Sequence, residues 1–130
     1  MSLQPVPIQN VPGVPDYTCT AFLPKSSDYC LLIPVINEGS RILTELGRAQ
    51  KAGVDRLVDI VICDGGSTDG SMNPDTLELY GVNTLLIKTG PGKQGAQLRM
   101  GLHFALTFGY KGVLTLSLIH ISEPTRQAEI

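Results

Sequence analysis

Residues 57–71 of the 130-residue chain read LVDIVICDGGSTDGS, and they carry the clearest signal of how the chain folds. Its first seven residues are almost continuously apolar, which is typical of a short strand buried on both faces of a parallel sheet. The polar residues and glycines from Asp64 to Ser71 predict a loop at the carboxyl end of that strand. Ligands of open parallel sheets bind at such strand ends, so this loop is the first candidate site.

Apolar strands and amphipathic helices alternate on both sides of this stretch. The predicted strands span 29–35, 57–63, 82–88 and a segment that starts at Gly112. The predicted helices span 40–52, 73–80 and a segment after residue 95, whose apolar face is expected to comprise Leu98, Leu102, Ala105 and Leu106. Each connection is long enough for a right-handed crossover, so we predict an α/β fold with a mainly parallel sheet and helices on both faces.

Composition limits the classes of function. Apolar residues make up 42% and charged residues 17%, enough for the core of one small domain, and the net charge of −2 argues against a nucleic-acid partner. No apolar run approaches the ~20 residues that cross a bilayer, and the first residues lack a signal-peptide pattern. The three cysteines have no CxxC spacing, which favours reduced thiols and a cytoplasmic location.

Both ends of the chain are expected to lie outside the folded domain. Residues 1–28 are predicted to form a loose arm, because five of the nine prolines fall within the first 24 residues. Residues 116–130, which read LSLIHISEPTRQAEI, resemble the translation of a transposase-type sequencing-library adapter. We therefore interpret them as a non-native tail, which leaves 29–115 as a partial domain that stops inside its fourth strand.

Candidate binding residues follow three predicted strands. Asp64 precedes two glycines that leave room for a ligand, and its carboxylate is suited to a ribose hydroxyl pair or a base N–H. Capping of its own turn is the competing interpretation. Asn37 and Glu38 follow the strand at 29–35, while Lys93 and Arg99 lie in a glycine-rich loop and the start of a helix, a combination suited to phosphate.

Residues 90–95, GPGKQG, also fit the pattern G-x-G-x-x-G of dinucleotide-binding loops. That fingerprint normally follows the first strand and is accompanied by an acidic residue about 20 positions later, and neither condition holds here. Two alternatives consequently stay open: a fragment of an NAD(P)-dependent oxidoreductase, and a nucleotide-binding domain without catalytic activity.

Three segments in series resemble motifs of the family 2 glycosyltransferases, which have the GT-A fold. Residues 33–38 (IPVINE) resemble the opening strand and turn, and 61–71 (VICDGGSTDGS) resemble the second-strand motif. Residues 92–101 (GKQGAQLRMG) resemble the turn and helix that follow the third strand. The resemblance covers 30–115, about two-thirds of the chain, and implies the Rossmann-like nucleotide-binding half of a GT-A fold.

The resemblance also implies roles for individual residues. Asp64 would contact the base or ribose of a nucleotide-diphosphate sugar, Pro34, Asn37 and Glu38 would line the same pocket, and Lys93 and Arg99 would stand near the diphosphate. The complete enzyme would be an inverting glycosyltransferase that acts on an acceptor hydroxyl with Mg or Mn bound by an Asp-x-Asp-type motif.

That metal-binding position coincides here with Leu116, Ser117 and Leu118, so we expect no metal site and no catalytic carboxylate in this chain. The catalytic residues are therefore unknown, and this fragment is expected to be inactive. Membrane association, on the cytosolic face, is expected only through segments that this chain does not contain.

Overall fold

The computed structural model describes residues 6–8, 13–91 and 94–115. Its strands are β1 (Val6–Ile8), β2 (Tyr17–Ala21), β3 (Tyr29–Val35), β4 (Asp59–Asp64), β5 (Val82–Lys88) and β6 (Gly112–Thr115). Its helices are α1 (Arg41–Lys51), α2 (Val54–Leu57), α3 (Pro74–Leu79) and α4 (Gln94–Thr107). The predicted tail at 116–130 lies outside the described residues.

The six strands form one sheet in the order β1-β2-β5-β4-β3-β6. The pairs β3–β4, β4–β5 and β3–β6 are parallel, which confirms the α/β class and the mainly parallel sheet. Val35 pairs with Asp64, and Asp64 pairs with Ile87 on its other side. The carboxyl ends of β3, β4 and β5 therefore meet at one edge of the sheet.

Two apolar clusters cover opposite faces of this sheet, because successive strand side chains point to opposite sides. On one face, Ile42 and Leu46 of α1 and Leu77 of α3 pack against residues such as Ile33 and Ile62. On the other face, α4 packs Met100, Phe104 and Ala105 against Leu32, Val61 and Cys63. Within the described ranges, no helix is long and apolar enough to span a membrane.

The prediction of a loose arm over 1–28 is wrong where the structure describes that segment as strands. β2 pairs antiparallel with β5 over five residues, from Tyr17 opposite Lys88 to Ala21 opposite Thr84, and β1 pairs with β2. Tyr17 is 1% exposed and belongs to the core. Without β2, β5 would present unpaired N–H and C=O groups at an open edge of the sheet. Backbone pairing with β5 and burial of side chains such as Tyr17 therefore order β2, which contains no proline.

The predicted apolar face of α4 is confirmed at Ala105, which is 2% exposed, but wrong at Leu102 and Leu106, which are 41% and 80% exposed. The buried face carries Ala96, Gln97, Met100, Phe104 and Ala105. Small residues let the helix approach the sheet closely: a Cβ added at Gly101 would lie 2.7 Å from the Cys63 Sγ atom. Close packing of α4 therefore selects the face with small residues over the face with more leucines.

Candidate ligand-binding edge of the sheet

The Asp64 turn, residues 64–67, begins at the carboxyl end of β4. Asp64 is 2% exposed, and its Oδ1 accepts hydrogen bonds from the Ser67 N–H at 3.0 Å and from the Ser67 hydroxyl at 2.6 Å. The same N–H lies 3.2 Å from Oδ2. The carboxylate thus accepts hydrogen bonds from within its own turn. Oδ2 shares the Ser67 N–H with Oδ1 and can accept further hydrogen bonds.

Asn37 joins the β3 loop to this turn. Its side-chain Oδ1 accepts a hydrogen bond from the Thr68 N–H at 2.8 Å, and its own N–H donates to the Ser67 Oγ at 2.9 Å. Asn37 has a positive φ of 47°, a conformation that asparagine tolerates better than most residues. The structure therefore brings Asn37 and Asp64 together, as their positions after adjacent parallel strands predict.

Asp69 makes a second link between the same two loops. Its carboxylate accepts hydrogen bonds from the Gly39 N–H at 3.1 Å and from the backbone N–H of Ser71 at 2.9 Å. Hydrogen bonds from the Ser71 side chain and backbone lower the pKa of Asp69 below its ordinary value. An ionised, exposed carboxylate therefore holds the outer part of the loop.

Gln97 is a buried polar residue at this edge that sequence reasoning missed. Its side-chain Nε2 donates to the Val35 carbonyl at 2.9 Å and to the Cys63 carbonyl at 2.8 Å. The sequence signal that could have identified Gln97 is its spacing. It lies three positions before Met100, on the helix face that also contains Phe104.

The loop between β5 and α4 starts at the same edge but turns toward the N-terminal segment. The Thr89 and Gly90 N–H groups both donate to the Asp16 carbonyl, at 2.8 and 3.0 Å. A Cβ at Gly90 would lie 2.9 Å from the Asp16 backbone nitrogen. Glycine is needed at position 90 because the backbone of Asp16 approaches it closely.

Two cations lie beside this loop. Lys88, which the sequence reasoning also missed although it ends a predicted strand, donates from Nζ to the Gly90 carbonyl at 2.8 Å. Arg99 donates from Nε to the Gly13 carbonyl at 2.6 Å. Arg99 borders an open cavity of about 340 Å³ that is also lined by Gly13, Val14, Pro15, Asp16 and Pro91.

The remaining candidates occupy different surroundings. Pro34 is buried inside β3, where it pairs with Cys63, and so it does not reach the exposed rim of the edge. Glu38 lies at the rim, with its Oε1 3.4 Å from the Arg41 guanidinium. Lys93 and Gly92 lie outside the described residues. The structure thus links Asn37 to Asp64 through Ser67 and places Arg99 against the N-terminal segment.

In the part of the chain that the structure describes, no group of three or more His, Cys, Asp or Glu side chains could hold a metal ion. Burial raises the pKa of Cys63 to about 12 and that of Cys30 to about 11. These two thiols are therefore protonated core residues at neutral pH.

No protein-family model matches the chain, and neither the search of curated proteins nor that of solved structures gives a match. The chemistry available at the edge is accordingly judged from its residues alone. Carboxylate and amide oxygens suit hydroxyl and N–H donors, while Lys88 supplies positive charge at the end of β5.

Proposed function

We propose that this chain is the nucleotide-binding half of a GT-A glycosyltransferase and that its strand-end edge binds a nucleotide-diphosphate sugar. The complete enzyme would transfer the sugar to an acceptor hydroxyl with inversion. The observation that carries the proposal is the hydrogen-bonded connection between the Asn37 loop and the Asp64 turn through Ser67 and Thr68. Two of the three motif segments thereby form one continuous polar surface.

The order of hydrogen-bond acceptors and positive charge along the edge supports this assignment. Asp64 and Asn37 provide acceptors at the ends of β3 and β4, and Lys88 ends the neighbouring β5. A nucleoside contacting the acceptors would direct its diphosphate toward the end of β5, where Lys88 lies. The divalent metal that the family resemblance implies has no fitting donor set among the described residues, so we assign no step to it.

The β5–α4 loop favours the glycosyltransferase over the NAD(P)-dependent oxidoreductase. A dinucleotide fingerprint uses its glycines so that a pyrophosphate can approach the backbone and its N–H groups. Here the Gly90 N–H and the space beside Gly90 are both taken by Asp16. The first glycine of the pattern therefore serves contact with the N-terminal segment.

Calorimetric titration of the 130-residue chain tests the proposal. The titrants are UDP, GDP, ADP, dTDP and NAD, each with and without Mg²⁺. We expect at least one nucleoside diphosphate to bind more tightly than NAD. Binding of NAD alone, or no binding of any nucleoside diphosphate, would contradict the proposal.

A further inference from the structure

We propose that Gln97 is a positioning residue that fixes the Asp64 turn by joining the carboxyl ends of β3 and β4. The inference rests on the proposed function only for its ligand-binding readout. Gln97 is 4% exposed, and the two Nε2 hydrogens are both used, one for the Val35 carbonyl and one for the Cys63 carbonyl. One amide group therefore connects the strands from which the Asn37 loop and the Asp64 turn emerge.

The two carbonyls lie where the backbone ladder between β3 and β4 ends. Cys63 is the last residue before Asp64, and Val35 lies opposite Asp64 in the parallel ladder. The Val35 carbonyl also accepts a backbone hydrogen bond from the Gly65 N–H at 2.8 Å. Gln97 adds two side-chain donors at this point, so that the Val35 carbonyl accepts from both Gln97 and the residue that follows Asp64.

Gly65 lies directly against the Gln97 amide. A Cβ at Gly65 would lie 3.0 Å from both Cδ and Oε1 of Gln97, which is closer than nine in ten real Cβ contacts, so the Gln97 amide would have to shift by a few tenths of an ångström. The absence of a side chain at Gly65 therefore leaves room for the Gln97 amide in its present position. Gln97 and Gly65 form one coupled pair under the turn, and a change in either should alter the position of Asp64.

Five variants of the full chain test the coupling: Gln97→Glu, Gln97→Ala, Gly65→Ala, the double variant Gly65→Ala/Gln97→Ala, and the control Gln50→Glu. Glutamate at 97 keeps the size of the side chain but removes its donors. Gln50 is the control for the substitution itself, because its Nε2 also donates to a backbone carbonyl, that of Leu79, while the residue is exposed and belongs to α1 on the opposite face of the sheet.

The first readout is amide hydrogen exchange measured by NMR, which needs no ligand. We expect Gln97→Glu to accelerate exchange of the Gly65 and Ser67 amides about tenfold relative to core amides of α1, the effect of losing roughly one buried hydrogen bond. Gln50→Glu should leave these two amides unchanged. Equal exchange in Gln97→Glu and wild type, or an equal acceleration at every amide, would overturn the proposal.

The double variant covers the case in which Gln97→Glu does not fold. Gly65→Ala alone should accelerate exchange at Ser67, but it should add little to Gln97→Ala because the shorter side chain leaves room for the new methyl group. Additive effects of the two substitutions would overturn the coupling.

The second readout is calorimetric affinity for the same four nucleoside diphosphates, UDP, GDP, ADP and dTDP. We expect Gln97→Glu to weaken the binding found in wild type about tenfold. Unchanged affinity would refute a role of Gln97 in the site. If wild type binds none of the four, the proposed function fails, while exchange at Gly65 and Ser67 still decides whether Gln97 fixes the turn.

Discussion

At the scale of single residues, Asp64 combines burial with a charge that its own turn only partly satisfies. Ser67 supplies the hydrogen bonds that shape the turn. Sequence reasoning could predict that Asp64 and Asn37 would be neighbours, because parallel strands bring their carboxyl ends to one edge. The stripe with Met100 and Phe104 could have singled out Gln97 as a buried polar residue, but a single polar residue in a helix does not reveal which backbone carbonyls it will meet.

Asp64→Ala should weaken nucleoside diphosphate binding by about 1.5–3 kcal/mol, because a hydrogen bond to a charged acceptor is lost. Calorimetric titration measures the change. Asp75→Ala, which removes an exposed carboxylate from the first turn of α3, is the control and should bind as wild type does. Equal affinities of Asp64→Ala and wild type would remove Asp64 from the site.

The buried thiols predict a loss of stability in alkali. Their folded-state pKa values, about 11 for Cys30 and about 12 for Cys63, lie above the ordinary value of 9.0. The folded state therefore binds more protons than the unfolded state once the pH exceeds 9, and the free energy of unfolding falls until the folded thiols ionise as well.

The free energy of unfolding measured with urea should be lower at pH 10.5 than at pH 8. Below about pH 8 the thiols should not contribute to its pH dependence. Cys63→Ala should reduce the difference between the two pH values, since it removes the group whose pKa is raised most among the three thiols. If the free energy of unfolding falls as much between the two pH values in Cys63→Ala as in wild type, Cys63 does not contribute to the fall.

At the scale of elements, the strongest sequence signals were continuous apolar runs and local caps. The predictions for β3 and β5 are confirmed to the residue, and Asn73 caps α3 by accepting hydrogen bonds from the Asp75 and Thr76 N–H groups. β2 was missed because its order comes from pairing with β5, which a local pattern does not show. The buried face of α4 was missed because closeness of packing, not leucine content, selects it.

Two helical glycines test that explanation of α4. Gly101→Ala should destabilise the fold by about 1–3 kcal/mol, since the new methyl group would meet Cys63 at 2.7 Å and Leu32 at 3.0 Å. Gly47→Ala in α1 should instead be neutral or stabilising by up to about 1 kcal/mol, because its nearest neighbour is Tyr80 at 3.7 Å. Urea unfolding compares the two, and a similar effect of both would contradict close packing at Gly101.

At the scale of the whole molecule, the two terminal segments should contribute unequally to stability. A chain that ends at Thr115 should match the full chain within about 0.5 kcal/mol, because we expect residues 116–130 to be adapter-derived and not selected for packing. A chain that starts at Phe22 should be much less stable, since it loses Tyr17 from the core and the whole β2 ladder.

Urea unfolding of both shortened chains, followed by circular dichroism, measures these differences. A marked loss of stability on removal of 116–130 would contradict the interpretation of that segment as non-native. Full stability without residues 1–21 would contradict the structural role of β2.

The pairing of β2 with β5 also has a consequence for synthesis on the ribosome. Tyr17 leaves the exit tunnel early, yet its partner Lys88 is encoded about 70 codons later. At translation rates of roughly 5–20 residues per second, the β2 segment waits about 4–14 seconds for its partner, longer than most secondary structure takes to form. The first-made strands, β1 and β2, can therefore join the sheet only after β5 has been made, and a slowly translated message lengthens the period in which a chaperone could bind them.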